Sequence, residues 1–320
     1  TVSNGRPSGS GNTADAVVLE ELDAAQREYY ATRMVTSSDG LFTVEVKPMK
    51  GLSVYGAMFN EWSSRSSAHF DEFKTDRSAE GAIDYIGIVG ASYDAGPLSV
   101  DFEHLKSDRF LTKTGLVGSY TLALADKSKL KLTGGVHMSR DSGKLFVVGA
   151  ESSELDDEDT GAGVGTKSDN DGLGVYLAAD WKLDNLALGA AVAKFDGTWI
   201  EDNFAGDHGT NVFPTGGVLA DMTNRDETVW MLSAGYDWKN YVKGLKTAVS
   251  YKSGSGARNS HVPSMGSADE SELAVDVRYA VPAVKGMSVR YLYLDYKSDK
   301  TGNLDGVKED ESDHRLYVDY

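Results

Sequence analysis

Apolar and polar residues alternate along most of this chain with a period of two. In Glu272–Ala280, Leu273, Val275, Val277 and Tyr279 fall on one side; Ala274, Asp276, Arg278 and Ala280 fall on the other. Gly174–Lys182 sorts Val175, Leu177, Ala179 and Trp181 from Tyr176, Ala178, Asp180 and Lys182. Leu245–Lys252 and Arg315–Tyr320 repeat the pattern. A period of two marks a β-strand whose two faces meet different surroundings. Thirteen such segments are legible. Six links between them are short: 47–51, 94–97, 125–129, 182–185, 239–244 and 281–286. Six are long: 61–81, 106–114, 140–171, 196–226, 253–270 and 298–312. Short and long links alternate. This predicts an all-β fold, a transmembrane antiparallel up-and-down β-barrel formed by residues 1–320 as a single domain. Its tight turns would face the periplasm and its longer loops the outside. A soluble barrel of the lipocalin kind would need only about eight strands.

Composition sharpens this picture. Cysteine is absent, so disulfides and thiolate chemistry are excluded. Glycine reaches 35 residues, and 16 tyrosines outnumber 10 phenylalanines. Tyr85 and Tyr93 stand eight residues apart on one face of one segment, and Trp181, Trp238 and Tyr251 lie near strand ends. Aromatic residues at both rims of an apolar band are expected of membrane barrels. The net charge of −17 opposes nucleic-acid binding, which needs clustered basic residues. An odd count of strands conflicts with the even counts of bacterial barrels. The first legible strand, near 41–49, and the last, near 312–320, both run toward the periplasm. The expectation is that an odd number of strands precedes residue 41 in the complete barrel.

The stretch GAGVGTKS at 161–168 approaches the phosphate-binding pattern G-x-x-x-x-G-K-[ST], with Thr166 in place of the second glycine. That motif needs a strand before it and a helix after it. Here an acidic run containing Glu154, Asp156, Asp157, Glu158 and Asp159 precedes it, and SDNDG follows. Five carboxylates would repel a triphosphate, so the stretch reads as an outer loop. Divalent ions bridging this loop to lipopolysaccharide phosphates are one expectation for it. No G-x-S-x-G elbow or H-E-x-x-H motif occurs, and the six histidines are dispersed.

Several segments resemble the OprD family of substrate-specific outer-membrane porins. They are DETVWMLSAGYDW (226–238), GLKTAVSYKSG (244–254), ESELAVDVRYAV (270–281), KGMSVRYLYLDYK (285–297) and DHRLYVDY (313–320). GLFTVEVKPMKGLSVYGAMF (40–59) and HFDEF (69–73) fit the same family's middle portion. The resemblance implies an 18-stranded barrel, within the range of bacterial barrels. Five strands would then precede the 13 read here, an odd number, as the strand directions require. It also implies that residues 7–40 are the third outer loop, folded into the pore, and that 196–226 are the seventh, its other wall.

The candidate chemistry follows from that placement. In the third loop, Val18, Leu19 and Leu22 recur at helical spacing, and Arg27, Glu28 and Arg33 are candidates for the constriction. In the seventh, Asp202, Asp207 and His208 form a polar cluster flanked by Phe204 and Phe213. Two or three scattered ligands are too few for a metal site. The family lines one pore wall with basic residues that guide carboxylates. Lys47, Lys182, Lys246, Lys252, Arg278 and Arg315 lie opposite the apolar side and match that role in kind. Asp180, Asp276 and Asp319 interrupt them, which leaves a wetted wall of mixed charge as the alternative. The expected function is passive diffusion of small polar solutes, carboxylates or amino-acid-like molecules, across the outer membrane. No cofactor, metal or catalysis is expected. The expected surroundings are lipopolysaccharide and outer-membrane lipid, with a monomer and a homo-trimer both left open. The rival readings are a barrel plugged by a partner protein and an enzyme with its site at the barrel rim.

Overall fold

The computed structural model describes residues 38–62, 71–73, 83–125, 127–142, 171–197, 211–258, 267–299 and 309–320. They form a single antiparallel sheet. Its strands are β1 (Ser38–Met49), β2 (Leu52–Trp62), β3 (Asp71–Glu72), β4 (Ile86–Ala95), β5 (Leu98–Ser107), β6 (Leu111–Ala123) and β7 (Lys129–Asp141). They continue as β8 (Asp171–Leu183), β9 (Leu186–Gly197), β10 (Thr228–Asp237), β11 (Leu245–Ala257), β12 (Ala268–Ala280), β13 (Ser288–Ser298) and β14 (Glu309–Asp319). Thirteen of these run up and down, each paired with its neighbour in sequence. The two-residue β3 stands apart and pairs with the end of β2. It is too short to show a period in the sequence.

The short links lie where the sequence places them. Gly51 and Gly244 adopt φ of +83° and +89° there. A side chain on Gly244 would also collide with the Ala280 backbone at the end of the neighbouring β12, so only glycine serves. The segment 106–114, expected to be a long link, is instead a three-residue turn between Ser107 and Leu111. The Ser107 hydroxyl accepts from the Leu111 amide at 2.9 Å, and Arg109 closes the bend at φ +55°. The polar run KSDR hid a continuous pairing that reaches Lys106 opposite Thr112. Short and long links therefore do not alternate without exception.

The register sorts the side chains. Residues directly opposite in neighbouring strands share a face, so one face can be followed across the sheet. Leu177 faces Gly134 and Val192, and the row continues through Trp230. On this face Leu177 is 67% exposed, Leu232 55% and Val46 53%. Large apolar side chains open to the surroundings in such number belong against lipid. Two aromatic groups border the band. Trp230 packs on Tyr251, with ring centroids 5.5 Å apart, toward the long links. Tyr236, Trp238 and Tyr241 meet edge-on at the 238–244 turn. Six residues separate Trp230 from Tyr236, about 20 Å of strand, close to the height of a membrane band. Tyr251, expected near a strand end, lies within β11 and belongs with Trp230 to the rim toward the long links. Tyr85 lies just ahead of β4 and Tyr93 within it.

The opposite face carries the polar residues and also the buried apolar clusters, because links fold back onto it. Phe59, Ile86, Ile88 and Leu105 are covered by Phe73 and Ile83 from the β2–β4 link. Elsewhere small residues leave room. In β9 the inward positions are Ala187, Gly189, Ala191 and Ala193, and burial alternates along the strand. Tyr55 lies flat across Gly90 and donates to Glu103 on the next strand.

Replacing Leu177 by Lys at the middle of the apolar face should cost about 2–4 kcal/mol of stability in a bilayer. Denaturant-dependent folding into lipid vesicles, compared with the unmodified chain, measures it. An unchanged folding free energy would mean that this face does not meet lipid.

Candidate functional site

All nine residues proposed for a pore wall lie on the polar face. Lys47 follows Glu45 there and pairs with it at 3.3 Å. Asp180 stands opposite Lys131, and Lys182 opposite Lys129. Lys246, Arg278 and Arg290 form one row across β11, β12 and β13. Like charges side by side on a sheet repel. Asp276 resolves this, accepting from Arg278 Nη2 at 3.0 Å and from Arg290 Nε at 3.0 Å. Arg290 also lies over the Tyr317 ring, 5.5 Å from its centroid. Arg315 pairs with Asp313 at 2.6 Å. Asp319 sits at the end of β14 opposite Ser288. Arg290, Lys129, Lys131 and Asp313 were missed in the sequence; Asp313 shares the parity of Arg315 on β14, whereas only register sets Arg290 opposite Arg278, Lys129 opposite Lys182 and Lys131 opposite Asp180.

Lys252 takes a different place from the rest. It is buried beneath residues 211–226, which leave β9 behind and lie on the polar face before β10 begins. Local sequence shapes this segment. Phe213–Pro214–Thr215–Gly216 makes a turn closed by the Gly216 amide on the Phe213 carbonyl at 3.1 Å. Proline suits its second position because its φ is already set. The Asn211 side chain donates to the Asp221 carbonyl at 2.7 Å and accepts from the Phe213 amide at 3.0 Å. These bonds close the segment on itself.

Two kinds of contact then fix it to the wall. Phe213 meets Phe195, His137 and Tyr176 edge-on, with centroids 4.7, 5.4 and 6.1 Å away. At the far end, Val218 packs with Ala274, Leu292 and Leu294. The segment thus spans from β7 and β8 to β13. Between these ends lies a buried charge pair. Glu272 accepts from the Val218 amide at 2.7 Å and from the Leu219 amide at 2.7 Å, and lies 3.6 Å from Lys252. Lys252 donates to the Gly216 carbonyl. Each charge is therefore held both by the other and by the docked backbone.

A second polar cluster lies where the segment rejoins the sheet. The Asn224 amide nitrogen donates to Glu227 at 3.0 Å and to Glu270 at 2.8 Å. Tyr296 donates to Glu270 at 2.6 Å. Burial and the neighbouring Glu270 push the Glu227 carboxyl well above the usual carboxylate range, partly offset by the Asn224 donors. Among the described residues no group of three or more metal-ligating side chains comes together.

An all-β meander with a lipid-facing apolar band and a link folded onto its polar face is the plan of a solute channel. The family model for the outer membrane porin, OprD family, matches residues 28–320. The chain belongs to the OprD family of outer-membrane porins. Its members are channels of the outer membrane that pass small solutes by diffusion. Solved OprD-type structures share the fold. OccK3 (OpdO) of Pseudomonas aeruginosa is 19% identical, with a TM-score of 0.68 over 87% of this chain and 67% of that one. OpdK of the same organism is 20% identical, with a TM-score of 0.71 over 88% and 69%. A BenF-like porin from Pseudomonas fluorescens Pf-5 is 16% identical, with a TM-score of 0.70 over 88% and 67%. No curated protein matches the chain.

The remaining candidates fall elsewhere. Arg27, Glu28, Arg33, Asp202, Asp207 and His208 lie outside the described residues, as do the near P-loop and the acidic run around it. The stretch given to the third loop, 7–40, overlaps β1, which starts at Ser38; that given to the seventh, 196–226, overlaps β9, which ends at Gly197. Phe213 was legible as a flank of the polar cluster. The docking partners Glu272 and Lys252 were not legible as a pair, since only their register places them side by side.

Glu272→Ala should free the docked segment, because it strands Lys252 and two backbone amides in a buried site, at about 3–5 kcal/mol. Limited proteolysis should then cut within 211–226 while the folded barrel persists on an unheated gel. Protection equal to the parent would show that the apolar contacts alone hold the segment.

Proposed function

We propose that this porin admits small carboxylate-bearing or amino-acid-like solutes through a constriction. Residues 7–40 form one wall of it as the third outer loop, and 196–226 the other as the seventh. The observation that carries the reading is the row Lys246, Arg278 and Arg290, whose two arginines hold Asp276. Arginine presents a planar fork that suits a carboxylate. Each of these forks already rests on Asp276, so a passing solute exchanges one contact for another. Such a wall binds strongly enough to admit a solute and weakly enough to release it. Lys182, Asp237, Lys246, Asp276 and Arg278 line a recess of ≈ 60 Å³ toward the short-turn end. Its carboxylates offer a place for an ammonium group beside the site for the acid.

Two further observations support the reading. OpdK, which shares the fold, has been solved with vanillate, itself a carboxylate. The docked segment narrows the space in front of the wall, as a constriction requires. The wall itself is of mixed charge, which suits zwitterions as well as anions. Around the barrel, lipopolysaccharide and lipid meet the apolar band.

Single-channel recording in a planar bilayer tests this. Discrete open steps are expected, with a reversal potential in a salt gradient that reports the sign of the wall. Replacing Arg278 and Arg290 together by Gln should shift selectivity toward cations. It should also weaken block of the ion current by a small carboxylate about tenfold, the loss of about one charge-assisted contact. A silent folded barrel would count against a channel and favour a plugged one. Unchanged selectivity in the double variant would place the filter elsewhere.

A further inference from the structure

Glu227 and Glu270 form an acid pair that nothing in the transport of a solute explains. Glu227 is fully buried and Glu270 nearly so. Three of their four oxygens have donors. Glu227 Oε2 accepts from the Asn224 backbone and side-chain amides, both at 3.0 Å. Glu270 Oε1 accepts from the second hydrogen of the same side-chain amide at 2.8 Å, and Glu270 Oε2 accepts from Tyr296 at 2.6 Å. Glu227 Oε1 has no donor among the described residues. Gly254 lies against that oxygen, and any side chain there would clash with it. The site is too tight for a hydrated cation. One side-chain amide nitrogen thus stands 3.0 Å from Glu227 and 2.8 Å from Glu270, which draws the two buried carboxyls together. Two acids held this close away from water do not both keep their charge, so one of them retains a proton.

We propose that Glu227, Glu270 and Asn224 are positioning residues that fasten the 211–226 segment to the pore wall through one shared proton, so that the width of the channel responds to pH. The inference rests on the reading of that segment as a wall of the pore.

The surroundings agree. On the segment itself, Asp226 is engaged by Arg225 at 3.9 Å and by Arg258 at 3.8 Å. Asp221 lies on the same segment. From β11 comes Lys252, which is committed to Glu272 of β12. From β13 comes the neutral phenol of Tyr296, and beyond it on β14 Glu311, another acid. From β9, Lys194 spends its ammonium on the Asp226 carbonyl at 2.7 Å. No cation is aimed at the pair among the described residues, so a proton is what relieves its charge. The sign follows. The docked state raises the pKa of Glu227, so this part of its stability is fully present below the ordinary carboxyl value of about 4.3. It is lost as the pH climbs through the raised value. Docking weakens about tenfold for each unit by which the docked value exceeds the free one. The segment is held in acid and loosened at neutral and higher pH.

Hydrogen exchange of the peptide 211–227 in the purified full-length protein, at pH 5 and pH 8, tests the latch. Rates are corrected for the intrinsic effect of pH on exchange. The expected result is at least a tenfold loss of protection at pH 8. Glu227→Gln should stay protected at both values, since its amide supplies the missing donor and cannot ionise. Glu270→Gln provides the same check from the other partner should the first variant not assemble. Equal corrected protection at both pH values in the parent overturns the proposal. So does the same pH dependence in a folded Gln variant. Conductance recorded on the same samples reports separately on the pore. A pH-dependent latch without any effect on conductance would leave the latch standing and remove the constriction reading.

Discussion

Everything in this chain depends on the absence of water in the bilayer core. A strand crossing that layer must satisfy every backbone donor and acceptor with its neighbours. Among the described residues, the strands between β1 and β14 do so by pairing on both sides, each with its neighbours in sequence. Once the backbone is committed, side chains alone distinguish the two sides. The period of two then divides the sequence between lipid and the pore. Leu177, Val192 and Trp230 could not share a row with Lys131 and Asp180 without exposing charge to hydrocarbon.

The inner side works under the opposite constraint. A wall of the same height must hold many charges without repelling itself apart. It does so locally, with Asp276 between two arginines and Asp313 beside Arg315. Where a charge must be covered, backbone groups complete its shell, as Val218, Leu219 and Gly216 do for Glu272 and Lys252. The small residues of β9 are part of the same arrangement. Ala187, Gly189, Ala191 and Ala193 leave the volume into which a folded link can settle.

The strands were legible because alternation is a local property. Leu273, Val275, Val277 and Tyr279 declare their face without any knowledge of neighbours. The inward parity of Lys47, Asp180, Asp276 and Arg315 follows from the same property. The tight turn at 108–110 was hidden because polar strand ends and polar loops have the same composition. What could not be read was pairing across strands. Glu272 meets Lys252, and Glu270 meets Asn224 and Glu227, only through register and the path of a link. The turn at Phe213–Gly216 carried a hint in its proline and glycines. Its destination on the wall did not.

The docked segment carries a single charged residue, Asp221, between Asn211 and Asn224. It therefore places a body of low dielectric constant across from water and fixed charges. Field lines from the ion pairs cannot spread into such a body and crowd into the aqueous gap that remains. A nearly uncharged stretch of chain thus acts as an electrostatic lens. In the proposed constriction it would let a sparse set of side chains govern an ion's path over a distance that bulk water screens.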